Sequence, residues 1–319
     1  MVLSENQTYR YSAFGISIAS VIEIPEFPRT AAPADVCFRY GRVPFPQHES
    51  DRSVRGVGLM GDGTVMYWSG IGAFLIEHGR TITVSPSRDV DPGYLRLVLT
   101  GPALAVLLVQ RALSVFHASV VQCRTTGIAI AFAARSGGGK STMAGAAYNA
   151  GYSMVSDDVL ALDFEDDVPF ALPGFPHAKL WAHSAIALVD DAGELNRLAA
   201  SYAKLARPIT ERFASESSRL AAVFVIEDGP EIVVSRLSGH SALGALLPHW
   251  YGAGFDGQLV DILGRERHLR ETTMLANRTA VFRLTRPRDL ARLPEVVTAV
   301  EKTIMSAREL KPEESACRS

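Results

Sequence analysis

The sequence predicts an α/β fold with a β-rich N-terminal part, and three observations carry that reading. Short, apolar strand-like runs separated by turn residues fill residues 9–86. From residue 93 onward, strand-like and helix-like segments alternate. An apolar strand at 127–133 passes through a glycine-rich turn into a helical segment that ends near residue 149. With 319 residues, 47% of them hydrophobic, the chain can bury a large core as one large domain or two smaller ones.

In the N-terminal part, residues 16–22, 36–40, 65–68, 73–76 and 81–84 read as strands. Turn residues at 61–63, 70–72 and 78–80 separate the later ones. This section carries no obvious chemistry, so residues 1–90 are assigned as a β-rich accessory domain. Residues 91–310 are assigned as the main α/β domain and 311–319 as a polar, frayed tail. Residues 92–113 follow as a helix. Its longest apolar stretch, 103–109, falls well short of the roughly 20 residues of a bilayer span and reads as a buried segment. A hairpin is predicted between 117–122 and 127–133, then strands at 152–155 and 159–164. A loop rich in Pro and Gly is expected at 169–181 and broken helix at 185–212. The remainder reads as a strand at 221–226, helices at 241–247 and 259–275, a strand at 279–284 and a closing helix at 290–305.

The most specific local signal is Ala134-Arg135-Ser136-Gly137-Gly138-Gly139-Lys140-Ser141-Thr142, placed between a strand and a helix. That is the setting of a phosphate-binding P-loop. Glycines let successive backbone N–H groups turn inward, and the helix N-terminus adds positive potential. Lys140 is placed to reach the β- and γ-phosphates of a nucleotide such as ATP, and the Ser141 hydroxyl to ligate Mg²⁺. The pattern places Gly at its first position and this chain has Ala134, which fits if its φ is negative. The alternative is a glycine-rich turn that happens to precede a lysine. A second signal, Asp157-Asp158, follows 17 and 18 residues after that lysine, at the end of a short apolar strand. Two adjacent carboxylates there suit a division of labour between holding Mg²⁺ and accepting a proton. A solvated acidic turn is the plainer reading.

Composition sets limits. The net charge is −2, with both signs spread along the chain, so neither a nucleic-acid partner nor a membrane surface is expected. Cys37, Cys123 and Cys317 are far apart and odd in number, with neither metal-ligand spacing nor a disulfide framework. Residues 1–10 are polar and lack the apolar core of a signal peptide. A cytoplasmic setting is therefore expected.

His117-Ala118-Ser119-Val120-Val121, the glycine loop, and Tyr152-Ser153-Met154-Val155-Ser156-Asp157-Asp158 together resemble the catalytic core of the HPr kinase/phosphorylase family. The likeness is closer to the HPr-kinase-related serine kinases of peptide-modification clusters, lasso-peptide kinases among them. Those relatives carry a Pro-Gly-x-Pro stretch, similar to Pro173-Gly174-Phe175-Pro176 here, and an opening segment similar to residues 14–28. The specific match covers residues 115–182. Three departures stand out: Ala134, an N-terminal part unlike the regulatory domain of true HPr kinases, and no signature stretch of those bifunctional enzymes after the Asp pair.

The resemblance implies a P-loop core related to that of ATP-dependent phosphoenolpyruvate carboxykinase, with ATP and Mg²⁺ as cofactors. It places Ser136 to Thr142 around the nucleotide, Asp157 as the base for an acceptor hydroxyl, and Ser141 and Asp158 on the metal side. It puts His117 at the active-site edge and has His177 and Lys179 face phosphate or substrate. A satisfied strand-start histidine and a solvated loop are the bland alternatives for these last three. Arg265, Arg267 or Arg270 is the candidate, by charge alone, to close over the phosphates. The expected activity is transfer of a γ-phosphoryl group to a serine of a peptide or protein, such as a ribosomally made precursor peptide. A small alcohol such as a sugar or nucleoside is the second reading, and a nucleotide-binding adaptor the third. Family members often assemble, so a homo-oligomer is expected on the same ground.

Overall fold

The computed structural model describes residues 7–44, 55–199, 202–254 and 257–309. The tail expected at 311–319 lies outside them. Strands β1 (Tyr9–Ala13) and β2 (Ile16–Ser20) form a hairpin across Phe14 and Gly15. Both turn residues have positive φ, 51° and 71°, as a tight two-residue hairpin turn requires. With β3 (Val36–Tyr40), β4 (Arg55–Met60), β5 (Gly63–Trp68), β6 (Gly72–Glu77) and β7 (Thr81–Pro86) they make a seven-stranded sheet in the order β1-β2-β3-β7-β6-β5-β4. The sheet does more than stand beside the rest of the chain. Phe14 donates its N–H to Pro173 O at 2.7 Å, and Phe14 and Phe27 pack on Phe175.

A continuous helical rod follows: α1 (Pro92–Val98), a π turn over Leu99–Ala103, and α2 (Leu104–Gln110). Pro102 has no N–H to donate, and the wider π turn accommodates that loss inside the rod. At 19 residues the rod is long and apolar enough to cross a bilayer, well beyond the seven-residue apolar run that marked it. Most of it is nevertheless packed inside the fold, with Leu104 to Val109 essentially inaccessible.

The second sheet carries the glycine loop. Its first strands are β8 (Ser114–Phe116), β9 (Ala118–Gln122) and β10 (Ala129–Ala133), and β9 pairs antiparallel with β10 as the predicted hairpin. After α3 (Lys140–Asn149) come β11 (Ser153–Ser156), β12 (Leu160–Glu165), β13 (Val168–Ala171), β14 (His177–Trp181), α4 (Ala182–Leu188) and β15 (Lys204–Pro208). The chain closes with β16 (Ser218–Asp228), β17 (Val233–Leu237), α5 (Gly239–Leu246), α6 (Gln258–Leu263), α7 (Arg265–Arg278), β18 (Ala280–Arg286) and α8 (Leu293–Glu309). Among the described residues the sheet runs β11-β9-β10-β16-β13-β12-β8, and β18 pairs with β16 and β17. Strands β10, β16 and β18 run parallel at its centre.

Side-chain alternation on these central strands decides what covers them. Ala129, Ala131 and Ala133 face the core shared with the helical rod and the N-terminal sheet, whereas Ile130 and Phe132 face α3 and α8. On that second face Phe132, Phe224 and Phe282 stand in register across the three parallel strands. Their ring centroids are 6.0 and 5.1 Å apart, a cross-strand aromatic ladder.

Three segments differ from expectation. The loop expected at 169–181 contains strands β13 and β14, because β13 finds partners in β12 and β16, and β14 in β15. The broken helix expected at 185–212 is helical only through Leu188 and a short 3₁₀ turn, Ala192–Glu194, and then extended as β15. The helix predicted at 259–275 is two helices, divided at Gly264, whose φ of 106° no helix accommodates.

Candidate phosphate-binding and acid–base site

The glycine loop leaves the C-terminal end of β10, the edge at which parallel sheets place ligands. Ser136 and Gly137 form the tip of a turn closed by Gly138 N–H to Arg135 O at 2.9 Å. Gly137 and Gly139 have φ of 77° and 95°, which only glycine adopts without strain. Ala134, at the first position, is absent from the positive-φ residues, so the alanine meets no backbone conflict. It also fills the inside of the loop: a Cβ on Gly138 would lie 2.8 Å from the Ala134 Cβ. Gly139 caps α3 without any side chain, which leaves the first N–H groups of the helix, over Lys140, Ser141 and Thr142, for an external acceptor. Thr142 itself turns away, its Oγ1 sharing a 2.9 Å hydrogen bond with Ser184.

Asp157 and Asp158 follow β11 directly, the strand on the far side of β9 from the loop-bearing β10, and meet the loop there. Asp157 is buried and saturated. Its Oδ1 accepts from Ser119 Oγ at 2.5 Å and Ser141 Oγ at 2.8 Å, and its Oδ2 from the Lys179 N–H at 2.7 Å. Asp158 points elsewhere. Its Oδ2 lies 3.1 Å from Lys179 Nζ and its Oδ1 3.4 Å from His117 Nδ1. Its φ of 75° is uncommon for a residue with a side chain, the kind of local strain that concentrates at functional sites. The hydrogen bonds thus divide the pair opposite to the roles implied by the resemblance, since Asp157, not Asp158, touches Ser141.

His117 bridges the two motifs. Its Nε2 lies 2.9 Å from Lys140 Nζ and its Nδ1 2.9 Å from Asp158 O. An ammonium can only donate, so Nε2 accepts and Nδ1 carries the proton, which makes His117 the neutral Nδ1–H tautomer. Burial lowers its pKa and Lys140 adds to the effect, against the pull of Asp158. Lys140 and Lys179 are buried, at 6% and 7% exposure, and buried ammonium groups require partners. Burial lowers the Lys140 pKa, opposed by Asp158 and Asp157. For Lys179 burial also pulls down, but Asp158, Tyr202 and Asp157 together outweigh it and the pKa is raised. Burial alone would raise the Asp158 pKa. Lys179, His117, Lys204 and Lys140 together overcome it and hold the carboxyl well below the usual carboxylate range.

The structure therefore brings together Lys140, Ser141, Asp157, Asp158, His117 and Lys179. His177 lies on the same strand as Lys179, with burial lowering its pKa. Two of the three arginines suggested as a phosphate lid are engaged elsewhere. Arg265 pairs with Asp261, and Arg267 with Glu271. Arg270 lies on the same helix, α7. Sequence reasoning missed Ser119, Tyr251 and Lys204. Tyr251 packs edge-on to His117 at 5.8 Å, and its hydroxyl lies 3.7 Å from where a Cβ on Gly101 would sit, in the π turn. Burial raises its pKa well above the ordinary value. Ser119 was legible in principle, two positions along the strand from His117.

Two histidines, His249 buried and His117 partly so, set an acid limit. His249 is 6% exposed, and burial, helped by His117, Lys140 and Arg135, pushes its pKa down to about 4 from 6.5. A lowered folded pKa means that the unfolded chain takes up the proton first. Stability is then complete above pH 6.5 and declines as pH falls toward 4. The expected loss from His249 alone is about 3 kcal/mol by pH 4, with His117 adding in the same direction. Asp158 titrates below this window. Thermal unfolding followed from pH 7.5 to 4.5 should show the decline, and His249→Gln should flatten it.

No protein-family model matches this chain, and no curated protein matches its sequence. Among solved structures it is similar to the HPr(Ser) kinase/phosphatase from Coxiella burnetii, at 10% identity and a TM-score of 0.33, over 61% of this chain and 98% of that one.

Proposed function

We propose that this chain is an ATP- and Mg²⁺-dependent kinase that transfers the γ-phosphoryl group to a hydroxyl acceptor, a serine of a peptide or protein. The observation that carries this reading is the meeting of a P-loop lysine and serine with two carboxylates in different hydrogen-bonding states. A site built only to hold a nucleotide has no use for the second carboxylate.

The residues present fit such a cofactor. The uncapped start of α3 and the turn Ser136 to Gly139 offer N–H groups to phosphate oxygens. Lys140, now on His117, would hold the β- and γ-phosphates and offset charge on the transferred group. Ser141 would ligate Mg²⁺, and its hydrogen bond to Asp157 supports a metal-side role for Asp157. Bound Mg²⁺ supplies neutralisation of the phosphate charge. Asp158 then takes the other role. It stays ionised at neutral pH, and it orients the acceptor hydroxyl and accepts its proton as the bond forms. Lys179 and His117 hold that carboxylate in place.

The serine acceptor, and precursor peptides as the first class to try, rest on the resemblance of residues 115–182 to peptide-modifying serine kinases. A homo-oligomer is proposed on the same ground. The test is incubation of the full chain with Mg·ATP and serine-containing peptides, alongside sugars and nucleosides, with mass spectrometry as readout. A gain of one phosphate on a peptide serine is expected, reduced by about 10³-fold in Lys140→Ala. Nucleotide binding without phosphorylation of any acceptor would overturn the kinase reading, and phosphorylation of a small alcohol alone would overturn the peptide.

A further inference from the structure

A cleft of about 650 Å³ opens at the edge of the central sheet opposite the glycine loop, between the starts of β16 and β18 and helix α8. That volume lies within the range of small-molecule sites. Four cations from four different elements surround it: Arg219 of β16, Arg236 of β17, Arg278 at the end of α7, and Lys302 of α8. Among the described residues no carboxylate lines it. Arg278 reaches out to an ion pair with Asp167, and among the described residues Arg219, Arg236 and Lys302 have no ion pair, in a chain whose net charge is −2. The floor is apolar, with Phe282 and Ile304, and Arg236 lies over the Phe282 ring at 5.1 Å. Thr279 also lines the cleft; it is only 5% exposed, and its hydroxyl is buried without a hydrogen-bond partner.

We infer that this cleft is a second binding site, for an amphipathic anion: an apolar body carrying a carboxylate or phosphate head. The apolar part lies on Phe282 and Ile304. The head lies among Arg219, Arg236 and Lys302. This site is independent of the phosphoryl-transfer reading, since it shares no residue with it.

Sodium decanoate and decyl phosphate are suitable probes, with decanol and decyltrimethylammonium as controls for the head group. Titration calorimetry on the full chain should show one site for at least one of the anions, at least about 10-fold tighter than either control. The preferred anion identifies the head. Arg219→Glu/Arg236→Glu should weaken that binding by about 10-fold or more while leaving binding of a fluorescent ATP analogue unchanged, which also reports that the variant is folded. Equal binding of decanol and decanoate, or unchanged anion affinity in the double variant, would overturn the proposal. So would failure of both anions to bind. A dimer that excludes the anions and dissociates in the double variant would overturn it in favour of an interface between chains.

Discussion

Asp158→Asn is expected to lower the rate of phosphoryl transfer by about 10²–10⁴-fold, the usual worth of a positioned general base. Apparent affinity for Mg·ATP should change little, because Asp158 contacts Lys179 and His117 and has no bond to the loop serine. Asp157→Asn should behave differently. It keeps the shape but cannot accept from Ser119, Ser141 and the Lys179 N–H with the same two anionic oxygens. Its main kinetic effect is expected in the Mg²⁺ concentration needed for half-maximal rate, which should rise. Measuring rate against Mg²⁺ at saturating ATP for both variants separates the two roles. If Asp158→Asn turns over near the parental rate while Asp157→Asn is inert, the base is Asp157 after all, as the family resemblance implied. Equilibrium unfolding of both variants is the control, since each carboxylate is also part of the packing.

The parts of this site that were legible in the sequence are those held within one short stretch of chain. The hairpin of β9 and β10, the glycine turn, the helix and the Asp pair all lie between residues 117 and 158, and each has a local signal: alternation, turn glycines or a motif spacing. What was missed is non-local. β15 reads as helical by composition and is extended only because β14 pairs with it. β13 tolerates Pro169 because it is short and held by β12 and β16 on either side. Lys179 was named only through the family resemblance: it comes to Asp158 on β14, and no spacing rule announces a lysine 21 residues downstream of a carboxylate. Tyr251 arrives from still farther away, beside a π turn that follows from a single proline in an apolar helix.

Arg267 shows the opposite failure, a charge that local reading over-interprets. Charge alone made it a candidate phosphate ligand, yet its Nε donates to Glu271 Oε1 at 2.5 Å and its Nη2 to Leu113 O at 3.0 Å. Glu271 is 6% exposed, and its other oxygen accepts from Trp250 Nε1 at 3.0 Å. Trp250 is itself inaccessible and stacks on His268 at 4.8 Å. The three side chains tie α7 to the segment that carries His249 and Tyr251. Arg267→Ala should therefore be severely destabilising, by about 3–5 kcal/mol, because it strands a buried carboxylate with one indole N–H for company. Urea unfolding gives the measure: a lower midpoint at unchanged slope. The same physics predicts partial rescue. In Arg267→Met/Glu271→Leu no buried charge is left uncompensated, and the double variant should regain much of the loss despite carrying one substitution more. A double variant less stable than Arg267→Ala by a further 2 kcal/mol or so would mean that the Trp250 hydrogen bond, not the buried charge, dominates the site. Because the pair sits apart from the glycine loop, Arg267→Ala that remains folded at low temperature should still bind nucleotide with parental affinity. A phosphate lid would forbid that outcome.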